Sequence, residues 1–223
     1  MHCEIQGKIA QTATLTFNPG ESAWASKGSL MSYGPGIEWT LKVPGGLAGA
    51  FRRSLAGEGV ALTLLEAPQG GTATLAANQP GHIIEWDLAT QGPVITTRGA
   101  FLAAWGPDID ITVTTARRAG AALFGGAGLF LQRISGTGTV LVHGSGDFVD
   151  HDLKEGEELR TSTGNLAAFA EAVDYDIERV GGLKKTLFGS EGLFMTRLRG
   201  PGRVLLQTLK RTAAGRKGGP PPG

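Results

Sequence analysis

The densest set of side chains able to do chemistry is the run HGSGDFVDHD, which brings His143, Asp147, Asp150, His151 and Asp152 together. Imidazoles and carboxylates this close are the donor types that hold a divalent cation. In an extended chain, alternate side chains point to opposite faces. Asp150 and Asp152 then share a face and His151 takes the other, so the plainer reading is a solvated turn. His143, Asp147 and His151 are the candidate metal set, but neither a metal nor another cofactor is expected. A second pattern is charge. The doublets Arg52-Arg53, Arg117-Arg118 and Lys184-Lys185 recur along the chain. Gathered at one end of the fold, they would suit a phosphate or an acidic partner. They are the candidate ligand-binding residues, against the plainer reading of charges that solvate a loop. Cys3 has no activating base near it, so a nucleophile is not expected there. His2 and His82 have no partners nearby in sequence. No phosphate-loop motif is present. With no nucleophile–base pair or paired carboxylates in view, catalytic residues are not expected and the chain does not read as an enzyme.

The elements that must position these residues follow from a repeat. The stretch GGLKKTLFGSEGLFMTRLRG at 181–200 has a second copy, AALFGGAGLFLQRISG, at 121–136. A third, RRSLAGEGVALTLLEA, lies at 52–67. Leu55, Leu123 and Leu187 coincide, as do Gly57, Gly125 and Gly189. Each basic doublet stands just ahead of its Leu-x-Gly. Glu58 and Glu191 recur, with Ala127 in the remaining copy; a Glu between glycines is read as satisfying backbone N–H groups. The steps Gly28–Gly99–Gly164 and Leu55–Leu123–Leu187 agree on a period of roughly 65–70 residues, the mark of an internally repeated architecture.

Between these copies the chain reads as short strands. IEWTLKV alternates Ile37, Trp39, Leu41 and Val43 with Glu38, Thr40 and Lys42, matching the period of two and placing Trp39 in the core. EIQGKIAQTATLTF reads as a half-buried strand ending in the turn Asn18-Pro19-Gly20. Each unit is expected to hold about five strands and little helix. Glycine, at 36 residues of 223, is about twice its usual share of about 7%. It falls between alternations, as in many short strands joined by tight turns. Lys plus Arg number 21 against 20 acidic residues, so net charge offers no drive toward nucleic acid or an anionic membrane. The tryptophans are not interleaved with cations, as a base-stacking surface would require. One cysteine excludes an internal disulfide. No apolar run approaches a membrane span of about 18 residues.

The pattern GGL-x-x-x-L-x-G-x-E-G-L-F is carried here by Gly182, Leu183, Leu187, Gly189, Glu191, Gly192, Leu193 and Phe194. It resembles the "altered inheritance of mitochondria" (mitochondrial biogenesis) family of uncharacterised proteins, from about residue 10 to about residue 210. The resemblance implies an all-β fold of three units similar to the tryptophan RNA-binding attenuation protein (TRAP), each a shortened double-stranded β-helix or β-sandwich. It supplies no catalytic residues. Ala61 departs from the phenylalanine at 130 and 194. Together these readings give one all-β domain, 1–210, of three repeats (about 10–76, 77–143 and 144–210) in a pseudo-threefold arrangement with a shared core. Residues 211–223 are expected to be a disordered basic Gly/Pro tail. The expected role is a non-enzymatic, cytoplasmic scaffold or interaction protein, with a homo-oligomer or an unidentified protein as partner. The alternative is a binding module for an anionic small molecule or phospholipid head group through the doublets.

Overall fold

The computed structural model describes residues 1–44, 61–115, 130–179 and 194–211. The three copies of the Gly/Leu stretch lie mostly outside these residues. What is described is almost entirely antiparallel sheet. Alternation builds it: along TATLTF, Ala13, Leu15 and Phe17 are buried and the threonines between them are not.

After β1 (His2–Gln6), the strands come in three successive groups of six. The first group is β2 (Thr12–Phe17), β3 (Glu21–Ala25), β4 (Leu30–Tyr33), β5 (Glu38–Lys42), β6 (Leu62–Ala67) and β7 (Gly71–Ala76). The second is β8 (Gly81–Asp87), β9 (Val94–Thr97), β10 (Phe101–Trp105), β11 (Asp110–Thr115), β12 (Phe130–Ser135) and β13 (Thr139–Ser145). The third is β14 (Phe148–Leu153), β15 (Glu158–Ser162), β16 (Leu166–Ala170), β17 (Asp174–Arg179), β18 (Phe194–Arg199) and β19 (Gly202–Gln207). The sequence suggested about five strands per unit. The sixth arises because stretches such as ESAWASKGSLMSY turn at their glycine, here Gly28 with φ +82°, and divide into two strands that enter different sheets. The N-terminal stretch likewise splits into β1 and β2, paired in register from His2↔Thr16 to Gln6↔Thr12.

In every group the first strand pairs with the sixth, the sixth with the third, and the fifth with both the second and the fourth. Turn glycines hold these returns close. At Gly36, φ is +87° and a Cβ would run into the carbonyl of Gly70. One helical turn, α1 (Leu88–Gln91), interrupts the second group. Asp87 caps it by accepting from the Ala89 N–H at 2.9 Å, and Gly92 closes it with φ +72°.

The pairings assemble four sheets: β1-β2-β7-β4, β5-β6-β3-β10-β13-β8, β11-β12-β9-β16-β19-β14, and β15-β18-β17. The repeat suggested one core shared about an axis. Among the described residues the buried side chains instead form two clusters. One holds Leu15, Phe17 and Leu75 of the first sheet against Leu65, Ile83 and Leu141 of the second. The other joins Trp86, Val140 and Val142 of the second sheet to Ile134, Phe169 and Val204 of the third and Leu198 of the fourth. Val140, Leu141 and Val142 are consecutive on β13, so they enter opposite faces. The second sheet is buried on both sides, and the sheets follow one another as layers.

Trp39 departs from expectation. It is 47% exposed, and Leu41 is 50% exposed. The alternation is real, but β5 is the last strand of its sheet, and the core ends at Leu65 beside it. Trp105 closes β10, half-buried, just ahead of Gly106-Pro107.

Candidate functional site

Two strand edges are the most distinctive surface. Within the chain, neighbouring groups join second strand to third: β3 meets β10 through Ala25↔Ala103 and Trp24↔Ala104. Likewise β9 meets β16 through Val94↔Ala170, Ile95↔Phe169 and Thr96↔Ala168. Two strands of these same kinds are left at sheet ends, β4 of the first group and β15 of the last. Along β4 the residues are Leu30, Met31, Ser32 and Tyr33, with neither charge nor proline. Met31 is 65% and Tyr33 53% exposed. The Gly34 N–H donates to the Thr72 carbonyl at 2.9 Å, which turns Gly34 toward β7. By the antiparallel alternation, the N–H and C=O of Tyr33 turn the other way, outward. Edges of this kind are usually blunted by charge, proline or a covering segment, because they template pairing with another chain.

The candidate metal set is dispersed. His143 is buried on β13. Asp147 lies between β13 and β14, exposed, with its carboxylate 3.2 Å from Nδ1 of His82. His151 sits in β14 opposite Val204. Asp150 is occupied by Arg203, whose Nη2 donates to Oδ2 at 2.6 Å and whose Nε donates to Oδ1 at 3.1 Å. Arg203 also lies 5.3 Å over the Trp86 ring. Among the described residues, no three His, Cys, Asp or Glu side chains are grouped to hold a metal ion.

What His143 does instead was not foreseen. Nη2 of Arg211 donates to its Nδ1 at 2.6 Å and to its carbonyl at 2.9 Å. A guanidinium only donates, so Nδ1 accepts and the ring proton sits on Nε2. Burial, and after it the charge of Arg211, push the His143 pKa down to about 4. Burial alone lowers that of Arg211 to about 10. The segment is anchored further by the Arg211 N–H, which donates to the Gly164 carbonyl at 3.0 Å. Gln207, fully buried, bridges the same region: its Nε2 donates to the Gly164 carbonyl at 2.9 Å and its Oε1 accepts from the Ser145 N–H at 3.0 Å. Arg211 therefore belongs to the folded part, one residue beyond the expected boundary. The rest of the expected tail, 212–223, lies outside the described residues.

Burial raises the Cys3 thiol to about 12, with help from the carboxylate of Glu85. At neutral pH it is a thiol, not a nucleophilic thiolate. Arg52, Arg53, Arg117, Arg118, Lys184 and Lys185 all lie outside the described residues, as do Glu58 and Glu191.

The fold defines an all-β protein of layered antiparallel sheets, and among the described residues no helix is long and apolar enough to cross a membrane. The chain belongs to the family described as Mitochondrial biogenesis AIM24, which matches residues 3–209. It is similar to an uncharacterized protein of Streptococcus pyogenes serotype M6, 30% identical over 199 residues that cover 85% of this chain and 78% of the relative. It is also similar to the X-ray crystal structure of a Streptococcus pyogenes structural-genomics target. That likeness has a TM-score of 0.76 at 26% identity and covers 94% of both chains.

Proposed function

We propose that this protein is a non-enzymatic scaffold, built of three TRAP-like repeats, that associates with other chains through its β surface. The observation that carries this reading is β4, an uncharged edge strand with Met31 and Tyr33 in solvent. The three groups of identical pairings support the repeats. The shifted groups support the absence of catalysis: His143 is tied to Arg211, and Cys3 is held as a thiol. The cytoplasm is the proposed place of work, in keeping with a single cysteine.

Native mass spectrometry of the untagged protein, purified gently from its own cells, tests the reading. The expected result is a mass at a whole multiple of the chain, or the chain with a second protein. A monomer carrying a reproducible small-molecule mass would overturn it and direct attention to the basic doublets.

A further inference from the structure

The contact between His143 and Arg211 leaves a charge unanswered. Nη2 of Arg211 is used twice, on Nδ1 and on the carbonyl of His143. Nη1 of Arg211 and Nε2 of His143 are both out of solvent, and neither has a hydrogen-bond partner among the described residues. The tautomer fixed by the first contact makes Nε2 a donor, and a guanidinium nitrogen is always one. Two donors on side chains already joined to each other therefore lack an acceptor. The Gln79 carbonyl is near enough to act on the imidazole but completes no hydrogen bond to Nε2. No carboxylate among the described residues answers the charge. Burial alone acts on Arg211, and Asp147, in the turn after β13, is exposed and set against His82. A buried donor without an acceptor and a buried cation without a counter-charge both destabilise a fold.

The seat of this arginine is built by the chain. Two of the glycines that mark the repeat shape it. At Gly99 an added Cβ would lie 3.5 Å from Nε of Arg211 and 3.8 Å from its Cζ, so the guanidinium rests on bare backbone. At Gly164 a Cβ would come within 3.0 Å of the Arg211 carbonyl oxygen. The Gly164 carbonyl accepts from both the Arg211 N–H and the Gln207 amide.

We propose that His143 and Arg211 bind a small anion of the halide class, chloride above all, held by the Nε2–H of one and the Nη1–H of the other. A single anion supplies what both side chains lack: an acceptor for each donor and a negative charge for the guanidinium. Two donors this enclosed suit a compact monovalent ion, whereas a phosphate group brings several oxygens that would each need a partner. Bound there, the ion ties β13 to the segment that follows β19. The site is separate from the edge strand on which the scaffold reading rests.

Urea unfolding at about pH 7.5 tests this, with sodium chloride exchanged for the bulkier sodium gluconate at constant ionic strength. An ion bound only by the folded chain raises stability by RT ln(1 + [L]/Kd). The wild type should gain stability with chloride. Above the dissociation constant, each tenfold rise in chloride should lower the unfolding constant about tenfold. Arg211→Gln removes the charge and His143→Phe removes the Nε2 donor. Each should abolish the dependence, and either one that remains folded by circular dichroism suffices. Wild-type crystals grown in sodium bromide should show an anomalous-scattering peak in contact with both nitrogens. A wild-type midpoint that ignores chloride, a dependence that the folded variants keep, or bromide crystals without the peak would each overturn the proposal and assign the two donors to water.

Discussion

His143 makes a quantitative prediction about stability and pH. In the fold its pKa is lowered from an ordinary 6.5 to about 4, with the ring almost wholly out of solvent at 1% exposure. The unfolded chain therefore binds a proton at a pH where the folded chain does not. Stability from this residue is fully present above about pH 6.5. It declines as pH falls toward 4, because the unfolded state then holds more protons. The gap of about 2.5 pH units corresponds to about 3.4 kcal/mol when fully titrated. Between about pH 7.5 and pH 4.5, roughly 2.5 kcal/mol of that is lost. Carboxylates also titrate at the acid end, so the informative quantity is a difference between proteins. Urea unfolding of wild type and His143→Asn, at one protein concentration, gives it. Asparagine keeps an acceptor near the Nδ1 position for Arg211 but does not titrate. The wild type should lose about 2 to 3 kcal/mol more than the variant over that interval. Equal losses would refute the reasoning and mean that His143 is protonated, or released, in the folded state.

Cys3, with its thiol raised to about 12 from 9.0, should react with iodoacetamide at pH 8 roughly a thousandfold more slowly in the folded protein than in urea. A ratio near unity would show the thiol to be unburied. Leu141→Ala removes a side chain with 0% exposure between the first and second sheets. It should cost about 2–5 kcal/mol in chemical denaturation; a loss below about 1 kcal/mol would argue against the layered core. Arg203→Lys keeps the charge but gives up the two-pronged contact with Asp150 and the guanidinium over Trp86. It should lower stability by about 1 kcal/mol, and an unchanged urea midpoint would show that the pair is merely superficial.

What was legible in the sequence was whatever a strand writes in its own letters. TATLTF alternates and buries Ala13, Leu15 and Phe17 accordingly. The glycine spacing that gave the period also marks the turns at Gly20, Gly28, Gly36 and Gly99, all at positive φ. The His143–Arg211 contact was not legible. The two are separated by 68 positions, and Arg211 opens a run of glycine, lysine and proline that has every composition of a tail. Nothing local says that Gly164 leaves room for the Arg211 backbone beside it, or that the side chain then reaches His143. Trp39 shows the same limit from the other side. A period of two records which face of a strand a residue takes, but a face is buried only if another layer covers it, and β5 lies at the margin of its sheet. Edges are one step further removed. Backbone N–H and C=O groups carry no letter at all, so Leu30–Tyr33 reads like any short strand. Its open side emerges only when pairings are followed through three groups and one second-to-third junction has no partner among the described residues. That junction is a property of the count of strand groups. Three such groups joined in series have two internal junctions and leave one strand of each kind, β4 and β15, at a sheet end.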